Sequence, residues 1–150
     1  MKRIKIDRDK CVGCLTCTTA WCRDKCVGCL TCTTACIVAH ESEDTRSRIT
    51  IDSKGKYAPI FCRHCDRPEC VYTCMTGAMS KNKETGLVEY NKDHCASCYM
   101  CIMACPYGVL KADSRMHKEI MKCDACKEHG TAQCVAKCPM GAITLEEVTE

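Results

Sequence analysis

Residues 95–106 read CASCYMCIMACP and constrain this chain more than any other stretch. Cys95, Cys98 and Cys101 stand two residues apart, Cys105 follows after three more, and Pro106 closes the run. Three thiols in such close series converge on one object. The fourth lies a helical turn further on and points away, toward a second object. The run therefore requires a partner elsewhere in the chain.

Partners are abundant. Twenty of the 150 residues are cysteine, against one Phe, one Trp and five Tyr. A chain so poor in large apolar side chains cannot fill an ordinary core, so cross-links or inorganic centres are expected to hold it together. Cysteine-dense secreted domains use disulfides. The opening MKRIKIDRDK, however, has neither the apolar segment of an export signal nor a twin-arginine motif, and no run is long enough to span a membrane. A reducing, cytoplasmic setting and metal-bound thiolates are expected instead.

In chain order, Ile4-Lys-Ile6 reads as a short strand. RDKCVGCLTCTTA at 8–20 then recurs letter for letter at 23–35. The first copy supplies Cys11, Cys14, Cys17 and, after four residues, Cys22; the second supplies Cys26, Cys29, Cys32 and, after three, Cys36. Only the second keeps the spacing of residues 95–105, and the regular site is assigned to it. Cys11, Cys14, Cys17 and Cys22 stand as alternate or additional ligands. A polar helix is expected from Ile37 to about Arg48, and a strand at Ile49–Ile51 ending in a turn at Lys54-Gly55-Lys56. Cys62, Cys65, Cys70 and Cys74 form the second motif. Residues 77–90 read as a β-hairpin around Thr85-Gly86, and 108–113 as a further strand. Cys123, Cys126, Cys134 and Cys138 form the last motif, closed by Pro139. The tail 141–147 reads as a strand that pairs with Ile4–Ile6.

Zinc needs two C-x2-C pairs. It has no use for three cysteines in series with a fourth four residues later, repeated along the chain. That grammar belongs to [4Fe–4S] cubane clusters, in which the fourth cysteine of one motif serves the cluster of its partner motif. A zinc-bound structural module is the alternative from a different class. Four clusters are expected, with a fifth possible on the first copy. The hairpin joins the second and third motifs, so Cys62, Cys65 and Cys70 pair with Cys105, and Cys95, Cys98 and Cys101 with Cys74. The first and last motifs then pair across the chain: Cys26, Cys29 and Cys32 with Cys138, and Cys123, Cys126 and Cys134 with Cys36. Four doubly charged cores on sixteen thiolates would turn the formal charge of +3 into about −5, so the basic residues do not signal nucleic acid.

Pro106 and Pro139 fix the turn after the fourth cysteine, whereas Ile37 and Met75 hold that place in the other two motifs and leave it less fixed. His64 and His94 lie against the motifs and are expected to pack around the ligands or sit at the surface. Met100, Met103, Met116, Met121 and Met140 are expected to pack around the clusters or to face a partner. No nucleophile–base pair, phosphate loop or paired carboxylates is present, so the chain reads as an electron carrier and not as an enzyme.

CRHCDRPECVYTCMTGAM with CASCYMCIMACPYGVLKAD resembles the four-cluster, ferredoxin-like electron-transfer subunits of anaerobic oxidoreductases, and is most similar to the iron–sulfur protein associated with CO dehydrogenase. The resemblance covers nearly all of the chain outside residues 8–35 and agrees with the cysteine pairing above. It implies an α+β fold of two interlocked bacterial-ferredoxin-like units, an inner one at about 57–113 inserted into an outer one formed by 1–56 and 114–150. It also implies a cytoplasmic relay through four clusters between a CO dehydrogenase catalytic subunit and an acceptor protein. A formate dehydrogenase or hydrogenase subunit, or a free-standing polyferredoxin, is the alternative.

Overall fold

The structure, a computed structural model, describes residues 2–3, 26–51, 55, 57–143 and 146–147. The expected strand at Ile4–Ile6 and the first motif copy, with Cys11, Cys14, Cys17 and Cys22, lie outside the described residues. Among the described residues the fold is α+β, with short helices and four two-stranded antiparallel sheets. Strand β1 (Lys2–Arg3) pairs antiparallel with β8 (Glu146–Glu147), just ahead of the expected partner Ile4–Ile6.

Helix α1 (Thr31–Ala39) starts two residues beyond Cys29. The polar helix expected from Ile37 to Arg48 does not form; α1 ends at Ala39, and residues 41–47 are loop. Short polar side chains there bond the local backbone in place of a helical ladder: Ser42 Oγ donates to the Asp44 carbonyl at 2.8 Å, and Thr45 Oγ1 accepts from the Ser47 N–H at 3.2 Å. Strands β2 (Arg48–Ile51) and β3 (Tyr57–Ile60) pair antiparallel; of the turn expected at Lys54-Gly55-Lys56 only Gly55 lies among the described residues, with φ of 74°. Helix α2 (Glu69–Tyr72) leads to the predicted hairpin, β4 (Met79–Lys81) and β5 (Val88–Tyr90), with Asn82 Oδ1 accepting from the N–H groups of Glu84 and Thr85 in the turn. Helix α3 (Met100–Ala104) follows. Within the expected 108–113 segment only β6 (Lys111–Ala112) is strand, paired with β7 (Ile120–Met121). Helix α4 (Gln133–Ala136) precedes the tail.

Among the described residues two small cores form, and both are part cysteine. Met79, Leu110 and Ile120 bury themselves with Cys101 against α2 and α3. Phe61 and Ile143 bury themselves with Cys32 against Ile49, Cys134 and Val135, tying α1 to α4 across about a hundred residues. Apolar side chains thus form shells around groups of thiols and not one continuous core, as the scarcity of aromatic residues requires. Among the described residues no helix is long and apolar enough to cross a membrane.

Candidate iron–sulfur sites

Each motif begins with a C-x2-C loop, and each loop uses the same backbone device. The residue before the second cysteine takes a positive φ in all four: Gly28 (70°), His64 (47°), Ser97 (53°) and Ala125 (60°). Three of these are not glycine and carry a left-handed cost of about 1–2 kcal/mol each. Such strain persists only where the surroundings over-determine the conformation. Where just two residues separate the second and third cysteines, the next residue is left-handed as well, Leu30 and Tyr99 (both 60°), and it caps the helix that carries the third cysteine. The longer x4 and x7 spacers need no such cap, and α2 and α4 begin from extended Pro68 and Ala132.

A second device follows the fourth cysteine, and pattern reading missed it. CMTGAM (74–79), CPYGVL (105–110) and CPMGAI (138–143) share a glycine three residues on, followed by two buried residues. Gly77, Gly108 and Gly141 have φ of 70°, 55° and 55°, and each N–H closes a turn on the cysteine carbonyl at 3.4, 3.1 and 3.2 Å. The recurring C-x2-G was the available signal. Cys36 is followed by Ile37-Val-Ala39, with neither proline nor glycine, so the helix runs on past the cysteine instead of turning.

These devices gather the thiols in groups drawn from different motifs. Cys26, Cys29, Cys32 and Cys138 line one cavity of about 340 Å3. Cys62, Cys65, Cys70 and Cys105 line a second of about 370 Å3. Cys74, Cys95, Cys98 and Cys101 line a third of about 310 Å3. Cys134 lies within electrostatic reach of Cys126, Cys36 and Cys32, and Cys123 within reach of Cys62 and Cys134; Cys36, Cys123, Cys126 and Cys134 are taken as the fourth group. These four groups are called sites 1, 2, 3 and 4, in the order of their leading cysteines.

The donor set suits an anionic metal–sulfur centre. Burial, followed by repulsion from neighbouring thiolates, pushes Cys70 up to about 11 and Cys134 and Cys123 up to about 12; burial likewise pushes Cys101 up to about 11. Thiols crowded so far above their ordinary value are stable as thiolates only with a cation among them. Hydrogen bonds already point at the sulfurs: Arg46 N–H to Cys36 (3.3 Å), Met79 N–H to Cys74 (3.4 Å), Ser97 N–H to Cys95 (3.4 Å), Ala125 N–H to Cys123 (3.4 Å) and Ala142 N–H to Cys138 (3.3 Å). Burial raises Cys74 too, but the N–H of Met79 and the hydroxyl of Thr76 outweigh it and leave the thiol below its ordinary value. The Thr31 hydroxyl lowers Cys29 in the same way.

The histidines divide. His94 is exposed, whereas His64 is buried in the wall of site 2, its Nδ1 accepting the Val88 N–H at 3.0 Å. Burial, with Lys122 and Lys81 nearby, lowers it to about 3, so His64 stays neutral. Met100, Met103, Met116 and Met140 are exposed instead of packed. Among the described cysteines only Cys29 and Cys98 are exposed.

Comparison with known proteins agrees with this chemistry. The sequence profile of the 4Fe-4S dicluster domain family matches residues 53–148. The hydrogenase-2 operon protein HybA of Escherichia coli O157:H7 is 38% identical over 96 residues, 58% of this chain and 29% of its own length. Protein NrfC of Escherichia coli K12 is 34% identical over 143 residues, 92% of this chain and 61% of its own length. The probable anaerobic dimethyl sulfoxide reductase chain YnfG of the same strain is 33% identical over 152 residues, 97% of this chain and 73% of its own length. The chain thus spans under two thirds of HybA and of NrfC.

Proposed function

The chain belongs to the 4Fe-4S dicluster domain family and binds 4Fe-4S clusters, and on that premise we propose that it carries four of them and passes single electrons between a catalytic subunit and an acceptor protein. One observation carries the reading: three separate cavities are each lined by three cysteines of one motif and the fourth cysteine of another. In this reading Cys26, Cys29, Cys32 and Cys138 ligate the cluster of site 1, and Cys62, Cys65, Cys70 and Cys105 that of site 2. Cys95, Cys98, Cys101 and Cys74 serve site 3, and Cys123, Cys126, Cys134 and Cys36 serve site 4. A bound [4Fe–4S] cluster supplies a one-electron carrier. The backbone N–H groups aimed at the sulfurs stabilise the added negative charge, and apolar neighbours such as Leu110, Ile120 and Ile143 keep water away.

The exchange of fourth cysteines makes two interlocked units, the inner at about 57–113 and the outer from the flanking segments. Electrostatic coupling between Cys134 and Cys32, and between Cys123 and Cys62, supports a linear order of sites 1, 4, 2 and 3. The two exposed cysteines then fall at opposite ends of the wire, Cys29 beside Val27, Leu30 and Met140, and Cys98 beside Tyr99 and Met100. The chain itself is read as non-catalytic. HybA is named for a hydrogenase-2 operon and YnfG for an anaerobic dimethyl sulfoxide reductase, and these names favour a hydrogenase or an anaerobic reductase over CO dehydrogenase in this reading of the catalytic partner.

Iron and acid-labile sulfide, measured on anaerobically purified protein, test the reading. About 16 of each per chain, with about four electrons taken up on reduction, are expected; about 20 would add a cluster on Cys11, Cys14, Cys17 and Cys22. Stoichiometric zinc without sulfide would refute it in favour of a structural module.

A further inference from the structure

Lys122 is 5% exposed, an unusual place for an ammonium group. It stands between the end of β7 and Cys123, and its Nζ donates to the Cys123 carbonyl at 2.7 Å. Among the described residues no carboxylate pairs with it. Asp124, next in sequence, is turned elsewhere: it accepts from Arg46 Nη1 at 2.8 Å and from the Cys126 N–H at 2.9 Å, and lies 2.9 Å from His40 Nε2. Lys81 is also close, and its Nζ is taken up by the carbonyls of His64, Cys65 and Gly86 at 2.8, 2.9 and 2.6 Å. A buried cation without an anion is costly, and one hydrogen bond to a carbonyl does not offset that cost.

The negative charge that Lys122 lacks lies on two sides of it. Lys122 directly precedes Cys123 of site 4 and bonds its carbonyl, and it lies within electrostatic reach of Cys70 of site 2; Cys62 and Cys123 are within the same reach of each other. We propose that Lys122 is the counter-cation shared by sites 2 and 4, placed at the junction of the inner and outer units, and that it favours the reduced form at both. The proposal rests on the ligand assignment given above. The step it affects is the arrival of one electron, in which no bond forms or breaks and the charge of a cluster with its four thiolates goes from −2 to −3. A fixed positive charge beside both sites stabilises the more negative state, and it lessens the repulsion between electrons on adjacent clusters.

The test uses the holo-protein with Lys122→Gln, which keeps a donor without the charge, Lys122→Arg, which keeps the charge, and Lys118→Gln, which removes an exposed charge four residues away. Metal content and the four midpoint potentials, from redox titration followed by electron paramagnetic resonance, are the readouts. In Lys122→Gln two of the four midpoints are expected to fall and two to stay. Lys122→Arg and Lys118→Gln should leave all four in place. Four unmoved midpoints in Lys122→Gln, or the same shifts in Lys118→Gln, would overturn the proposal. If Lys122→Gln loses iron while Lys122→Arg keeps it, the need for a cation stands; if both lose it, packing and not charge is the cause and the proposal fails. Wild-type protein with fewer than about 16 iron atoms would instead refute the ligand assignment beneath it.

Discussion

Gly28 offers the sharpest test of how the backbone builds a site. It precedes Cys29 with φ of 70°, and an added Cβ would lie 2.5–2.7 Å from three carbons of the Tyr57 ring. Gly28→Ala therefore carries two separable costs. A left-handed alanine costs about 1–2 kcal/mol. Forcing Tyr57 from its seat adds about 1–3 kcal/mol of overpacking, and the stiffer unfolded chain returns about 0.4–1 kcal/mol. The net loss is about 1–4.6 kcal/mol, or roughly a fivefold to two-thousandfold faster loss of cluster from site 1 at a fixed guanidinium concentration. Anaerobic bleaching of the charge-transfer absorbance, followed in time, reads it. Tyr57 is partly exposed, so Tyr57→Ala is tolerated and removes the steric part. In that background Gly28→Ala should cost only the left-handed part, about 1 kcal/mol. Equal effects in both backgrounds, or wild-type kinetics for Gly28→Ala, would refute the reasoning. Ala125, at the matching position before Cys126 with φ of 60°, gives the converse: Ala125→Gly should slow the loss of the site 4 cluster.

Exchange of fourth cysteines predicts that Cys65→Ala and Cys105→Ala abolish the same paramagnetic signal, each lowering iron by about four, while Cys101→Ala abolishes a different one. Lys81→Met removes the donor held by three carbonyls and should cost about 2–4 kcal/mol, seen as faster amide exchange at Val88 and faster iron loss from site 2. The Asp113 carboxylate is held below its ordinary value by the N–H groups of Met116 and Glu119, at 2.7 and 2.8 Å, and Asp44 by the Ser114 N–H at 2.7 Å. Because both folded values are depressed, their contribution is complete above the ordinary carboxylate range and is lost as the pH falls through the lowered values. Protection factors for amide exchange at Ser114, Met116 and Glu119, taken against the intrinsic rate at each pH, should therefore fall on acidification. Asp113→Asn should remove that dependence at Met116 and Glu119.

Cysteine spacing alone was enough to read the cofactor, and the turn residues around Thr85-Gly86 were enough to read the hairpin. These depend on spacing and on local turn chemistry, which a linear sequence carries in full. Proline after Cys105 and Cys138 announced a turn, and the glycine three residues beyond Cys74, Cys105 and Cys138 repeated it, although only one of the two signals was read. Without either signal, α1 continues past Cys36. The failed helix at 40–48 shows where local reading stops: helix periodicity and side chains that bond their own backbone compete there, and the loop wins through contacts made outside it, such as Asp44 with Ser114 and Arg46 with Asp124.

Chain order and spacing determined which thiols this protein has to offer, and in what groups of three. Only the tertiary structure decided what surrounds them. The left-handed residues between the cysteines, the burial of His64 and Lys122, and the packing of α1 on α4 across about a hundred residues leave no local pattern. The reason is physical. Ligand spacing is a property of neighbours along the chain, whereas desolvation and counter-charge are properties of neighbours in space.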